Sequence, residues 1–124
     1  MSTIQAIQAV TRREQGFPEP KPGDLRVVHF PQVPCRPFIV PVASLAQAKL
    51  VCDVLADYDL FQFAARIKPD YCNATTVEAY GEDYSEDGKP GWCDWFDDSS
   101  WESGKEFAEL NAHDIAEIDR RMGR

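Results

Sequence analysis

The stretch SLAQAKLVCDVLAD, residues 44–57, decides the fold, because it is the clearest helix in a chain whose neighbouring segments favour strands. Ser44 and Gln47 have the spacing of a capping box, in which two side chains satisfy free backbone amides at a helix start. Apolar residues recur at helical spacing along one side: Leu45, Ala48, Val51, Cys52 and Leu55. The sequence therefore predicts a helix over residues 44–57 with one apolar face.

Two strand-like segments precede this helix, and a linker precedes them. LRVVHF (25–30) and FIVPV (38–42) are rich in β-branched and aromatic residues, so both are predicted to be strands. Pro41 has no amide hydrogen to donate, which favours an edge position for the second strand. The earlier stretch EQGFPEPKPGD (14–24) has three prolines and two glycines in eleven residues, which is typical of an extended linker. We therefore expect an N-terminal arm over residues 1–23 and one folded domain over residues 24–124.

The segment LFQFAARI (60–67) is compatible with two structures. Its alternating pattern allows a strand, whereas its helical spacing, with Asp59 as a cap and Pro69 as a stop, favours a short separate helix. In one interpretation Arg66 or Lys68 pairs there with a neighbouring carboxylate, Asp57, Asp59 or Asp70, and in the other the segment is a structural turn that serves only folding.

The remaining segments complete an α+β pattern. NATTVEAYGE (73–82) alternates like a strand, and WCDWF (92–96) returns after a turn-rich stretch, so the two predict a β-hairpin. Residues 103–122 are predicted to be mostly helical, with Asn111 available as a second cap. The order β-β-α-(short α)-β-β-α predicts a single small α+β domain. Its antiparallel sheet of about four strands would have helices packed on one face.

The charge of the chain is concentrated in one segment. The formal net charge is −8, and residues 78–102 alone contain nine acidic residues and one lysine. Such a chain is repelled by phosphates, which argues against direct nucleic acid binding. No apolar run is long enough to cross a membrane, and the first residues lack the pattern of a secretory signal, so a cytoplasmic location is expected.

No recognised catalytic, metal or cofactor motif occurs in the sequence. The cysteines (Cys35, Cys52, Cys72 and Cys93) and the two histidines form no CxxC, HxxxH or HxH pair, and structural zinc sites usually contain such a pair. No glycine-rich phosphate loop is present. We therefore predict no catalytic residues, no metal and no cofactor. The rival hypothesis is a small metal-binding or hydrolytic enzyme that uses Cys35, Cys72, Cys93 and His29.

The segment GWCDWFDDSSWE (91–102) combines aromatic and acidic residues at unusual density. In one interpretation Trp95 and Cys93 lie in the core while Trp92 shields the open face of the sheet. In the other, exposed aromatic residues ringed by carboxylates bind a partner protein with a basic surface, because interfaces use aromatic anchors and complementary charge. The candidate partner-binding residues are Tyr80, Glu82, Asp83, Tyr84, Trp92, Asp94, Asp97, Asp98 and Trp101. The same acidic surface could also imitate the phosphates of DNA.

Two longer stretches carry a family resemblance. RVVHFPQVPCRPFIVPV (26–42) and VLADYDLFQFAARIKPDYCNA (54–74), followed by the acidic tryptophan-bearing hairpin, resemble small accessory proteins of tailed bacteriophages and prophages. The resemblance covers residues 25–97, and some of these proteins carry the label superinfection exclusion. It implies a phage-encoded accessory protein in the cytoplasm of a bacterial host, and it transfers no catalytic residue.

These observations together predict a non-enzymatic phage or prophage accessory protein. It would bind a host or competitor protein through the acidic, aromatic-rich surface, in host takeover, anti-defence or superinfection exclusion, without contact to nucleic acid or membrane. A virion or assembly component is a further alternative, and the apolar side of the C-terminal helix is then a candidate surface for a homodimer.

Overall fold

The computed structural model of the chain describes residues 12–31, 36–67, 73–81, 89–97 and 105–124. A four-stranded antiparallel sheet has the order β2-β1-β3-β4, which confirms the predicted α+β class and the edge position of the Pro41 strand. A two-stranded sheet, β5-β6, lies beyond it in sequence. The strands are β1 (Leu25–Phe30), β2 (Phe38–Val42), β3 (Ala74–Gly81), β4 (Gly91–Asp94), β5 (Phe96–Asp97) and β6 (Lys105–Glu106). The two longer helices are α1 (Leu45–Ala64) and α2 (Ala112–Arg121).

Strand β1 lies at the centre of the fold because it pairs with both β2 and β3. Its alternate residues Leu25, Val27 and His29 are buried on the face that α1 covers. The core adds residues from β3, from both helices and from the segment just before α2: Val77, Leu45, Ala48, Ile115, Ile118 and Leu110. The helices therefore cover one face of the sheet, as the sequence predicts.

Helix α1 begins as predicted but ends later. Ser44 accepts a hydrogen bond from the Gln47 amide at 3.1 Å, while the Gln47 side chain accepts from the amide of Ala43 instead of Ser44. The prediction of a break near residue 57 and a second short helix is wrong, because one helix runs through to Ala64. It stops where Arg66 takes a left-handed conformation (φ 62°) and the Ile67 amide donates to the Gln62 carbonyl, a common helix ending.

The surroundings of Asp59 explain why the predicted helix break near residue 57 is wrong. It is not a helix cap, because its carboxylate is 2% exposed and lies 2.6 Å from Nε2 of His29 in β1. Asn73 donates a second hydrogen bond to the same carboxylate oxygen at 2.7 Å. The described contacts of Asp59 join it to His29 and Asn73 and not to Arg66, while the predicted partnership with Lys68 falls outside the described residues. Lys68 and Asp70 lie outside the described residues.

The C-terminal helix is shorter than predicted. Residues 105–106 form β6 and Phe107–Glu109 form one 3-10 turn, so α2 begins only at Ala112. Asn111 is the true N-cap, in a reciprocal capping box with Asp114. The apolar side of α2 buries Ile115 and Ile118 within its own chain, and self-association through this helix stays a prediction.

Asp119 in α2 joins the two helices. Its two carboxylate oxygens accept hydrogen bonds from the amides of Leu45 and Ala46, at 2.9 and 3.0 Å. These amides belong to the first turn of α1, where helical backbone offers them no acceptor. The start of α1 is thus capped both by Ser44 and by a residue more than seventy positions later in the chain.

The described part of the N-terminal arm, residues 12–23, lies against the sheet. Arg13 donates to the Ile39 carbonyl at 2.7 Å, and its guanidinium stacks on Phe38 at 4.4 Å from the ring centre. Gly23 has a φ of +93°, a conformation that favours glycine, and its amide donates to the Tyr80 carbonyl at 2.8 Å. These contacts bring the arm beside β2 at one side and β3 at the other.

Candidate functional site

The candidate site lies on the open face of the sheet, meaning the face opposite the helices. Cross-strand pairing places Arg26 of β1 beside Glu78 of β3, Glu78 beside Asp94 of β4, and Tyr80 beside Trp92. Residues that pair directly across antiparallel strands share one face. The open face therefore collects two aromatic rings, two carboxylates and one guanidinium.

Trp92 is held in place by two neighbours on the open face. The Tyr80 ring meets it edge to face, with 5.2 Å between the ring centres. The guanidinium of Arg26 lies 4.2 Å from the centre of the Trp92 ring and also forms an ion pair with Glu78 at 2.6 Å. Trp92 is only half-buried, so a fixed part of its indole ring stays available at the surface.

Asp94 is the acidic neighbour of this aromatic pair. It is exposed, and the hydroxyl of Thr76 donates to its carboxylate at 3.3 Å. The structure therefore brings together three of the predicted partner-binding residues, Tyr80, Trp92 and Asp94, on one face.

The other predicted residues of this site are placed only in part. Asp97 lies in β5, where it pairs with Lys105 of β6. Trp95 leaves the strand and packs on the core side against Phe107, with 6.2 Å between ring centres, so Trp92 and Trp95 lie on opposite sides. Five predicted residues lie outside the described residues: Glu82, Asp83, Tyr84, Asp98 and Trp101.

Two residues of the site were not singled out from the sequence. Arg26 and Glu78 carry the only described ion pair on the open face beside Trp92, and each is less than one quarter exposed. The signal was present, because Arg26 lies between buried Leu25 and Val27, and an alternating strand points such a residue to the opposite face.

His29, a candidate of the rival metal or enzyme hypothesis, is part of a buried hydrogen-bonded group. Its Nε2 contacts Asp59, its Nδ1 lies 2.6 Å from the Thr75 hydroxyl, and the ring is 2% exposed. Within residues 12–31, 36–67, 73–81, 89–97 and 105–124, no three His, Cys, Asp or Glu side chains form a group that could hold a metal ion. Cys35 and Cys72 lie outside these ranges.

Cys52 lines a cavity of about 240 Å³ together with Thr75, Trp95 and Phe107. Burial raises the pKa of the Cys52 thiol, the negative charge of Asp53 raises it further, and Lys49 acts in the opposite direction. The thiol of Cys52 is therefore held in its protonated, less reactive form.

We expect iodoacetamide at pH 8 to alkylate the Cys52 thiol more slowly than it alkylates the thiol of free N-acetylcysteine, because only the thiolate reacts. The rate at Cys52 should reach half its maximum above pH 9.0, the ordinary value of the thiol pKa. Site-resolved mass spectrometry over a pH series measures this rate. Asp53→Asn should speed the reaction at pH 8, since it removes a negative charge beside the thiol. Equal rates for Cys52 and N-acetylcysteine at every pH would contradict the assignment.

Among the described residues, no helix combines the length and the apolar character that crossing a membrane requires. A family model described as superinfection exclusion gene product 17 matches residues 24–115. The superinfection exclusion protein of Salmonella phage P22 is 39% identical over 92 residues, which cover 68% of this chain and 89% of that protein. No solved structure matches the chain. The expectation of a phage accessory protein is thereby confirmed, and the chain belongs to the superinfection exclusion gene product 17 family.

Proposed function

We propose that this chain is a non-enzymatic phage protein that excludes superinfecting phages by binding a protein of the host or of the competitor. Binding takes place on the open face of the sheet around Trp92. The partner carries a basic surface, and the complex forms in the bacterial cytoplasm. The relative from phage P22 is itself a superinfection exclusion protein, which supports the biological role.

The observation that carries this proposal is the fixed presentation of Trp92. Tyr80 and Arg26 hold its indole on two sides, at 5.2 and 4.2 Å, and the exposed carboxylate of Asp94 lies in the same strand two residues later. Binding energy at interfaces concentrates in tryptophan, tyrosine and arginine residues, and a side chain that is already ordered loses little entropy on binding.

The charge of the chain supports a protein partner with a basic surface. The net charge is −8, and nine of the acidic residues lie within residues 78–102, the segment that contains Trp92. A surface of this sign repels nucleic acid phosphates and speeds encounter with a basic protein. The interaction should therefore weaken as salt rises, because salt screens exposed charges.

A charge-reversal variant tests the proposal. We expect Asp94→Lys/Asp97→Lys/Asp98→Lys to lose the partner in affinity capture from host lysate at low salt. The same variant, produced in a susceptible strain, should allow infecting phages to plate as on a strain without the protein. Reversed charge repels a basic partner, which slows association and costs at least about tenfold in affinity.

A matched control distinguishes the effect of charge reversal at the candidate site from the effect of the changed net charge. Asp53→Lys/Asp57→Lys/Glu117→Lys changes the net charge by the same amount on helices α1 and α2, which cover the other face. Capture and exclusion should persist in this control. Equal loss in both variants, or unchanged exclusion in the hairpin variant, would contradict the site assignment.

A further inference from the structure

The outer side of helix α1 carries an apolar ridge, formed by the side chains of Leu50, Val54, Tyr58 and Phe61. Steps of three and four residues keep these side chains on one side of the helix, away from the side that packs on the sheet. Each of the four is more than half exposed, and the rings of Tyr58 and Phe61 stack with 6.4 Å between their centres. A helix that packs on a core with one side ordinarily has polar residues on the other. The ridge therefore indicates a second packing surface on α1.

The ridge is large enough to form a weak interface with a surface of matching shape. Aromatic side chains have about 150–250 Å² to bury, so four large apolar side chains that are each more than half exposed offer roughly 400 Å². Two such ridges in contact bury roughly 800 Å², to which the flanking side chains add, and weak specific interfaces bury less than about 1,200 Å² in total. A contact of this size supports a dimer that forms and dissociates with concentration.

Charged residues on one flank of the ridge match a second copy of the same helix. Lys49 and Asp57 are both exposed on this flank, and Asp53 lies between them in an ion pair with Lys49 at 2.5 Å. Lys49 comes five positions before Val54 and Asp57 three positions after it. Rotation of a second copy about a two-fold axis beside Val54 reverses the helix direction and keeps the flank on the same side.

The two possible orientations of such a pair differ in their charge contacts. In the antiparallel orientation Lys49 of each copy lies beside Asp57 of the other, so the same favourable contact occurs twice. In a parallel orientation Lys49 would lie beside Lys49 and Asp57 beside Asp57, and like charges that meet in an interface repel. The charges therefore favour a second copy in the antiparallel orientation.

We propose that two copies of this chain form an antiparallel dimer through the apolar ridges of α1. Val54 packs on Val54 of the second copy at the two-fold axis, Leu50 packs on Tyr58 of the second copy, and Phe61 lies over the first turn of the opposite helix. Rows of residues four positions apart are the rows through which helices most often pack. The open faces of the two sheets lie on the far side of each copy from α1, so the dimer covers neither Trp92.

Sedimentation equilibrium of the full chain over a concentration series tests the proposal. We expect the mass to rise from 14.0 kDa towards twice that value, with half of the chains in dimers at about 10–100 µM. Salt at about 0.15 M screens the long-range repulsion between two chains of net charge −8. A mass of 14.0 kDa at every concentration up to about 1 mM would overturn the proposal and leave the ridge to a different occupant.

A lysine substitution on the ridge tests the position of the interface. Val54→Lys brings two ammonium groups together at the two-fold axis and should weaken the dimer at least about tenfold. Val54 is more than half exposed, so the variant should fold normally, which circular dichroism verifies. Ile67→Lys makes the same change at an exposed aliphatic side chain three positions beyond α1 and should dimerise as the unchanged protein does. Undiminished dimerisation of Val54→Lys would overturn the proposal.

An exchange of charges tests the antiparallel orientation. Lys49→Asp and Asp57→Lys should each weaken the dimer at least about threefold, because each change creates like-charge contacts at two symmetric positions. Lys49→Asp/Asp57→Lys restores opposite charges across the interface and should recover the original affinity within about twofold. Unchanged affinity in both single variants, or no recovery in the double variant, would contradict the proposed arrangement.

The dimer does not rest on the proposed function, because the two use opposite sides of the molecule. The control variant Asp53→Lys/Asp57→Lys/Glu117→Lys should lose the dimer, since one flank of the ridge then carries only positive charge, while capture and exclusion persist. The charge reversal in the hairpin should lose capture and keep the dimer. Loss of the dimer in the hairpin variant alone would overturn the assignment of the interface to α1.

Discussion

Replacing Asp59 with alanine is expected to lower the free energy of unfolding by about 2–6 kcal/mol, because two hydrogen-bond donors lose their acceptor at about 1–3 kcal/mol each. The carboxylate accepts from His29 and from Asn73 at 2.6 and 2.7 Å. Without it, the His29 ring nitrogen and the Asn73 amide lose their acceptor at a position where Asp59 and His29 are each 2% exposed. The cost is largest for the His29 ring, because a buried donor without an acceptor retains its desolvation cost. Urea unfolding at pH 7, followed by circular dichroism, measures the change.

Two related variants define the origin of this loss. Asp57→Ala lies in the same helix, two residues earlier, at an exposed position, and should change the free energy of unfolding by about 0.5 kcal/mol or less. Asp59→Asn keeps one carbonyl oxygen as an acceptor and should fall between the two alanine variants. If Asp59→Ala were as stable as Asp57→Ala, the buried contact with His29 would not contribute to stability.

Replacing Asp119 with alanine should cost about 2–4 kcal/mol, because it removes two charge-assisted hydrogen bonds from the first turn of α1. The amides of Leu45 and Ala46 then have no acceptor, and Leu45 is completely buried. The carboxylate also lies at the N-terminus of α1, where the helix dipole favours negative charge. Thermal and urea unfolding of Asp119→Ala against the unchanged protein measure this loss.

Glu117→Ala is the matched control for Asp119. Glu117 lies in the same helix and contacts only an exposed arginine, Arg120, at 2.7 Å. Surface pairs of this kind contribute about 0–1 kcal/mol. Asp119→Asn, which retains one acceptor, should lose roughly half as much as Asp119→Ala. A loss at Glu117 equal to that at Asp119 would mean that α2 matters only as a whole and not through its cap on α1.

Local patterns predicted the start of α1 and the sheet, but not the end of α1. Ser44 and the apolar spacing of residues 45–55 act within the helix, so the sequence carries them directly. The helix continues past Asp59 because that side chain is not a cap but a buried partner of His29, thirty residues earlier, which no local pattern shows. The outer side of α1 added to the ambiguity, because Leu50 and Phe61 are 64% and 61% exposed, so apolar residues lie on both sides of the helix.

The candidate site was predicted only in part for a similar reason. Alternation along the returning strand was enough to place Trp92 and Asp94 on one side, whereas Tyr80 joins them only through the cross-strand register of the structure. Predicting that Arg26 belongs to the site would have required the pairing of β1 with β3, which joins residues about fifty positions apart. The position of the N-terminal arm against the sheet was not predicted, because a proline-rich stretch has no periodicity and the contacts of Arg13 with Phe38 and Ile39 join distant parts of the chain.

The cap that Asp119 provides has a consequence for when helix α1 can be completed during synthesis of the protein. Synthesis proceeds from the N-terminus, and domains generally begin to fold as they emerge. The first amides of α1 obtain their carboxylate partner only after Asp119, which lies 74 positions beyond Leu45, has been synthesised. Nascent chains that end before Asp119 therefore expose an incomplete helix start to proteases. The start of α1 is therefore completed only when α2 packs beside it, and a chain shortened within α2 before Asp119 is expected to leave two amides of α1 without their acceptor.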